Sequence, residues 1–266
     1  VKIVALCKHS LDVAEIKVDR ATRELKLAGV PARIGGIDRN VIEAAVCLKE
    51  ANGGSVEGLC FGPTAARDGF KDVLAMGVDE MTLIVDPFEG AAEPEIVVEI
   101  LAAAIRVRGP FDLVLCGFAS DDGYTYQVGP RLAERLGAPL VSYARQVRVS
   151  ESALEVERDL EDRLQTVAVR LPAIVSIAEE AFPPRRTTLM DALKARQKPV
   201  NTWQLDEHLG LSSDQLRTES RVTASAELGV YVERRQLVLK GNSLEELADG
   251  LIDALLERRV LQEAAR

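Results

Sequence analysis

Residues 117–130 read Gly-Phe-Ala-Ser-Asp-Asp-Gly-Tyr-Thr-Tyr-Gln-Val-Gly-Pro, a run of small, hydroxyl and amide side chains able to hold an anion. Glycine lets a backbone approach a ligand closely. Ser120 and Thr125 add hydroxyl donors. The run follows an apolar stretch, Leu113–Cys116, of the kind that makes a buried parallel strand. A helical pattern follows, with Val128, Leu132 and Leu136 on one side. A helix N-terminus offers backbone N–H groups that lack intrahelical partners, and these suit a phosphate. Most α/β domains carry loops of this kind, so the geometry alone leaves phosphate binding as one use among several.

Little else is equipped for chemistry. Asp121-Asp122 has the form of an acid and base pair, but adjacent carboxylates in a loop stay solvated more often than they catalyse. One of them then accepts from ribose hydroxyls or orients loop amides. No Ser/His/Asp pattern with a nucleophile elbow, no P-loop and no early GxGxxG is present. Cys7, Cys47, Cys60 and Cys116 are too widely spaced for a CxxC motif and read as buried reduced thiols. His9 and His208 are too few for a zinc site, so no metal is expected. His9 sits just past the first strand, as a solvated loop residue or, less in keeping with its type, a ligand contact.

The elements that position these residues alternate through the first half. Val1–Cys7 reads as a strand and Asn40–Ala51 as a helix, with Asp38 as N-cap. Gly54–Phe61 is the next strand. Thr64 caps a helix ending near Met76, where Gly77 stops it. Strand Met81–Val85, helix Pro94–Val107 and strand Leu113–Cys116 complete the series. This order implies an α/β fold, a doubly wound and mostly parallel Rossmann-like sheet with ligand at the carboxyl ends of its strands. From about Ala144 the rhythm changes to short alternating strands, Ala144–Ser150, Ala153–Leu160 and Leu164–Val169, read as appended antiparallel hairpins. The turns between them are Glu151-Ser152 and Glu161-Asp162. Ala173–Ile177 returns to the core.

Pro183-Pro184 is a stiff break, so the chain divides into 1–181, an α/β nucleotide-binding domain, and 182–266, a partner-docking extension. In the extension Thr188–Ala195 reads as a short helix. Val200–Asp214 reads as loop with one short helix, and Val222–Ala226 with Val230–Leu239 as a hairpin. Ser243-Leu244-Glu245-Glu246 is a capping box opening an amphipathic helix that suits a partner surface.

With 266 residues, 47% apolar and 28% charged, the composition is that of a globular protein. A net charge of −9 argues against a nucleic-acid binder. No apolar run approaches the roughly 20 residues of a membrane span. The sequence opens directly in a strand pattern, so no leader peptide is expected and the compartment is read as cytoplasmic.

Several segments together resemble the electron-transfer flavoprotein β subunit. Gly117, Ser120, Asp122, Gly123, Thr125, Gln127, Gly129 and Pro130 match the family's nucleotide loop in order and spacing. Phe61-Gly62-Pro63 and Leu74-Ala75-Met76-Gly77-Val78-Asp79 match its "GP … ALAMGAD" segment, and Lys194-Ala195-Arg196-Gln197-Lys198-Pro199 is similar to its "KAKKKP" run. Asp38 and Glu43 fall in its "NPxDxxAxE" stretch. The resemblance spans about residues 1–200 and weakens beyond.

The resemblance implies an electron carrier, not an enzyme with its own substrate. A partner α subunit would hold most of the redox FAD, and the β subunit would bind AMP. Electrons would pass from acyl-CoA dehydrogenase-type flavoenzymes to a quinone reductase or another acceptor. The nucleotide set would be Leu6, Cys7, Lys8, Phe61, Gly62, Gly117, Ser120, Asp121, Asp122, Gly123, Tyr124, Thr125 and Gln127. His9, Gly36, Ile37 and Asp38 would face the partner's flavin. Arg185, Leu189 and Lys194 would belong to the recognition loop that grips dehydrogenases. Read from its residues alone, that loop is a surface helix with Leu189 and Leu193 packed inward.

Two departures stand out. Tyr124 and Tyr126 replace an Asp and a small residue, so their rings narrow the site, stack on an adenine or close it. Gly35-Gly36 replaces Asn-Pro, losing an amide. The alternatives are a bifurcating β subunit with a second FAD in place of AMP and, in another class, a stand-alone adenine-nucleotide sensor or hydrolase.

Overall fold

Strand β1 (Lys2–Cys7) sends Ile3, Ala5 and Cys7 into one apolar layer and Val4 and Leu6 into the other. A strand that alternates its side chains between two covered faces must be apolar throughout, which is why KIVALC reads as a continuous run. β4 (Leu113–Gly117) does the same, with Leu113 and Leu115 on one face and Val114 and Cys116 on the other. The computed structural model describes residues 1–90, 92–150, 153–219, 229, 237–258 and 260.

Between these strands lie α1 (Gly36–Asn52), β2 (Ser55–Gly62), α2 (Phe70–Met76), β3 (Glu80–Val85) and α3 (Pro94–Arg108). Beyond them come α4 (Val128–Leu136), β5 (Leu140–Val149), β6 (Leu154–Asp159), β7 (Leu164–Val169) and β8 (Ala173–Ile177). The last parts are α5 (Leu189–Ala195), β9 (Val200–Trp203), α6 (Leu205–Leu209), α7 (Ser213–Glu219) and α8 (Leu244–Glu257). The main sheet has nine strands in the order β7-β6-β5-β8-β4-β1-β2-β3-β9. From β5 to β9 neighbours are parallel; β6 and β7 add an antiparallel edge. α1 and α2 cover one face, and α3 and α4 the other. The chain winds from β1 out to β3 and then crosses back to β4 beside β1. The carboxyl ends of β1 and β4 therefore form the switch point where such sheets bind ligands. The doubly wound α/β fold is as expected.

Four local expectations change. α1 begins at Gly36 with Gly35 as N-cap, so Asp38 lies inside the first turn and is not the cap. A long-range approach accompanies this: a Cβ at Gly35 would lie 1.6 Å from Asp121 Oδ2, so a larger residue there would displace that carboxylate. Thr64 starts a 3-10 turn, Thr64–Gly69, whose N-cap is Pro63, so its hydroxyl caps nothing. β5 starts at Leu140 and pairs parallel with β8 before it meets β6. Val200–Trp203 is a strand, not loop, and pairs parallel with β3.

Other expectations hold. Gly77, at φ 125°, ends α2, and Lys49 and Lys198 donate to the carbonyls of Gly77, Leu74 and Val78 around that helix end. The hairpin expected over 222–239 and the turn at 151–152 fall on residues outside the described set, apart from 229 and 237–239.

The chain forms two compact units. The first, Val1–Lys17 with Leu25–Glu227, holds the sheet. In the second, Val18–Glu24 with Leu228–Arg266, Gly229 N–H donates to the Arg23 carbonyl and Arg23 Nε returns a bond to the Gly229 carbonyl. There α8 is capped by Ser243, which accepts from Glu246 N–H, while the Glu246 carboxylate takes Asn242 N–H, one residue earlier than the expected box. Leu244, Leu251 and Ile252 on α8 are exposed.

Candidate functional site

The ends of β1 and β4 enclose a cavity of ≈ 230 Å³. One wall is apolar: Leu6, Leu59 and Phe61 from the sheet, and Ala92, Val97 and Leu101 from α3 and its approach. The other is polar: Ser120, Gly123, Thr125 and Gln127 from the loop after β4, with Lys8 and Asp38 across it. The volume is below the roughly 300–1,000 Å³ of sites that enclose a drug-sized ligand, so a ligand of that size would extend beyond it.

Nine of the thirteen expected nucleotide residues line this cavity: Leu6, Cys7, Lys8 and Phe61, then Gly117, Ser120, Gly123, Thr125 and Gln127. Gly62, Asp121, Asp122 and Tyr124 do not. Asp121 is drawn to the N-terminus of α1, against Gly35, where the helix dipole favours a carboxylate. Asp122 pairs with Lys8 Nζ at 2.8 Å. Burial pushes the Asp122 carboxyl up, but Lys8, Ser120 and Gly123 N–H together hold it below its ordinary value. Ser120 is thus engaged inside the loop, and its hydroxyl also accepts Gly123 N–H at 3.3 Å. Thr125 and Gln127 have no side-chain hydrogen bond among the described residues and are open to a ligand. The first turn of α4 adds the backbone N–H groups of Val128 and Gly129, behind a Gln127 N-cap that makes no side-chain bond.

These features fit an adenine nucleotide: an apolar slot for the base, open donors opposite it and a helix N-terminus for phosphate. The misfit is charge, with Asp38, Asp121 and Asp122 facing the single ammonium of Lys8.

Tyr124 and Tyr126 do not close the cavity. They pack on each other with ring centroids 5.5 Å apart, and Phe118 contacts both as well as Tyr143 at 5.7–5.9 Å. All three tyrosines have positive φ, 46°, 60° and 58°, which bulky side chains rarely adopt. Of this cluster Phe118 and Tyr126 line the cavity, and Tyr126 is 44% exposed.

The four residues expected to face a flavin separate. His9 lies in a two-stranded ribbon, His9–Leu11 with Ala32–Ile34, half-buried beside Gly69. Burial lowers its pKa, and its Nδ1 has no partner among the described residues. Gly36 is open, with nothing near a built Cβ. Ile37 is buried over Gly117. Asp38 is buried in the cavity wall.

Arg185 folds back on α1. Its guanidinium bonds Glu43 at 2.9 Å and Glu50 at 2.6 Å, and its backbone N–H donates to Glu43 Oε2. One turn back, the Asn40 side chain accepts Phe182 N–H. Sequence reasoning missed this double staple, because nothing local links residues 142 positions apart. Beyond it, Thr188 and Asp191 form a capping box, and α5 carries Leu189 at 78%, Met190 at 60% and Leu193 at 45% exposure. The inward-packed reading of Leu189 and Leu193 therefore fails: both are exposed among the described residues. Lys194 is exposed on the same helix.

The electron transfer flavoprotein domain model matches residues 23–208. The chain is 32% identical over 266 residues to the electron transfer flavoprotein subunit beta of Thermoanaerobacterium thermosaccharolyticum, covering 97% of this chain and 99% of that one. It is 29% identical over 262 residues to CarD, a subunit of the caffeyl-CoA reductase-Etf complex of Acetobacterium woodii, covering 98% and 100%. No helix among the described residues is long and apolar enough to cross a membrane. The sheet, the switch-point cavity and these full-length similarities lead to one conclusion: the chain belongs to the electron transfer flavoprotein family, as a chain of its β-subunit type.

Proposed function

We propose that the chain is the β half of a heterodimeric electron carrier that works in the cytoplasm, shapes one side of an FAD site held mainly by an α subunit, and binds AMP in its own cavity. The observation that carries the reading is the switch-point cavity, lined by an apolar wall and by the free Thr125 hydroxyl and Gln127 amide. The FAD supplies the ring that accepts and returns electrons. The chain's own residues bind and position. Leu6, Leu59 and Val97 pack a base; Thr125, Gln127 and the N–H groups of α4 hold ribose and phosphate. His9 and open Gly36 are the flavin-facing surface, with Ile37 and Asp38 supporting it from beneath. The region 182–266 is the docking part, with α8 set on the α subunit.

In the recognition segment Arg185 fixes the base, Leu189 fills a pocket on a dehydrogenase and Lys194 steers acidic surfaces. CarD's place in a caffeyl-CoA reductase complex supports a partner enzyme that acts on an acyl-CoA; the donor is an acyl-CoA dehydrogenase-type flavoenzyme, and the acceptor a quinone reductase or another acceptor. A second FAD in place of AMP is the other reading, favoured by the exposed ring of Tyr126 in the cavity wall.

Co-expression with the α subunit and purification test the proposal. A yellow heterodimer supports it. A colourless homodimer that binds adenine nucleotides without a partner contradicts it and points to a stand-alone sensor or hydrolase.

A further inference from the structure

Asp38 lines the cavity at 7% exposure with half of its carboxylate unused. Its Oδ2 accepts Lys8 N–H at 2.8 Å. Its Oδ1 has no hydrogen-bond partner among the described residues and lies 3.5 Å from where a Cβ would stand on Gly117, another residue of the cavity wall. The charges around it are arranged against ionisation. From the loop after β4, Asp121 and Asp122 add like charge. Lys8, after β1, spends its ammonium on Asp122. The other titratable groups facing Asp38 are Cys7 on β1, kept a neutral thiol by its hydrogen bond with Cys60 and by burial, and Cys116 on β4, kept neutral by burial. The Lys8 N–H bond, the Lys8 charge and the first-turn position in α1 favour the carboxylate, but burial, with the two anions, outweighs them.

We propose that the cavity takes the phosphate of its nucleotide together with one proton, carried by Asp38 as a carboxylic acid whose Oδ1 donates to the ligand. The inference rests on the reading of the cavity as a nucleotide site. An ionised Asp38 offers an incoming phosphate only lone pairs and repulsion. The neutral acid turns the same oxygen into a donor and removes one of three negative charges from the wall. The raised pKa of Asp38, about 7, sets where the exchange occurs.

The test is titration calorimetry on the purified complex, stripped of bound nucleotide. ADP-ribose is the main probe, because its pyrophosphate diester keeps a fixed charge over the range, whereas the AMP phosphate titrates within it. Affinity should be level below about pH 7 and fall about tenfold per pH unit above it. Titrations in buffers of different ionisation enthalpy should show net proton uptake at pH 8. In Asp38→Asn the amide oxygen keeps the Lys8 bond and the NH₂ group becomes a permanent donor. That variant should hold the low-pH affinity throughout and take up no proton. A wild-type affinity without pH dependence or proton uptake overturns the inference while leaving the nucleotide site intact, as does an Asp38→Asn variant that keeps the slope. If neither ADP-ribose nor AMP binds at any pH, the nucleotide reading itself fails, and the inference with it. Should the variant not fold, the wild-type proton count decides alone.

Discussion

The cavity between β1 and β4 and the segment after Phe182 treat their polar groups in opposite ways. At the cavity, Thr125, Gln127 and one oxygen of Asp38 are left without partners, held by strand ends and a helix terminus that cannot rearrange cheaply. In the segment after Phe182, polar groups at the base pair with α1, with Arg185 on Glu43 and Glu50 and the Phe182 N–H on Asn40. Farther along, the segment exposes three large apolar side chains, Leu189, Met190 and Leu193, beside Lys194. Unsatisfied polar groups mark a place that binds a small polar ligand, while a paired base with an apolar tip marks a place that presents a surface to a protein. The difference also reassigns Arg185. Its bonds to Glu43 and Glu50 position the segment.

The largest effect that would sharpen this contrast is a gain of stability at the cavity. Burial raises the Asp38 pKa from 3.8 to about 7, so the folded state binds a proton more tightly than the unfolded one. The penalty is absent below the unfolded value, grows as pH rises between the two and is complete above about 7. Asp38→Asn should therefore stabilise the ligand-free protein at pH 8 by up to about 4 kcal/mol and leave it unchanged near pH 4. Urea melts of both proteins across that range check it; equal curves at pH 8 would show Asp38 to be comfortably ionised.

At the other region the sign reverses. Arg185→Ala strips Glu43, whose side chain is 9% exposed, of its counter-charge. A loss of about 2–3 kcal/mol is expected, less than for a fully buried pair because Arg185 keeps 31% exposure. Burial pushes the Glu43 carboxyl up, but the hydrogen bonds from Arg185 prevail and hold it below its ordinary value. Its contribution is present above the unfolded carboxylate pKa and disappears as pH falls through the folded one. The gap between wild type and Arg185→Ala should accordingly close in acid. A gap of the same size at low pH would mean that lost packing, not charge, was responsible.

Leu189→Ala separates tip from base. The side chain is 78% exposed, so the melting temperature should not move. Filling a pocket with a leucine is worth about 1.5–3 kcal/mol, so electron acceptance from a dehydrogenase should weaken by one to two decades in affinity. A variant that melts early yet accepts electrons normally would remove the distinction drawn between tip and base. The smallest effect belongs to the cavity: Thr125→Val should cost nucleotide binding about 0.5–1.5 kcal/mol, read by calorimetry, and no change there would show that the hydroxyl is not a ligand.

The parts of this picture that were legible in the sequence are those set by local pattern. KIVALC, LVLCG and AIVSI announce buried parallel strands because both their faces are covered. The loop after β4 was legible as a ligand loop because its glycines and hydroxyls sit between strand and helix. What escaped depends on contacts across the chain. Val200–Trp203 is half-buried at the sheet edge, and VNTW lacks the apolar weight of a central strand. At the start of α1 Asp121 lies on Gly35, an approach that no cap rule anticipates. Arg185 looks free for a partner until Glu43 and Glu50 are placed beside it. Tyr124 and Tyr126 left three outcomes open. They pack on each other and on Phe118, with Tyr126 in the cavity wall and Tyr124 outside it.

The measurement that bears most directly on the central claim is a count of released nucleotides. The co-expressed complex is denatured, and the liberated FAD and adenine nucleotides are separated by chromatography and expressed per heterodimer. The account predicts one FAD from the shared flavin site and one further adenine nucleotide, AMP or a second FAD, from the cavity between β1 and β4. A complex that releases a single FAD and nothing else, and that takes up neither AMP nor ADP-ribose when either is supplied, would contradict it.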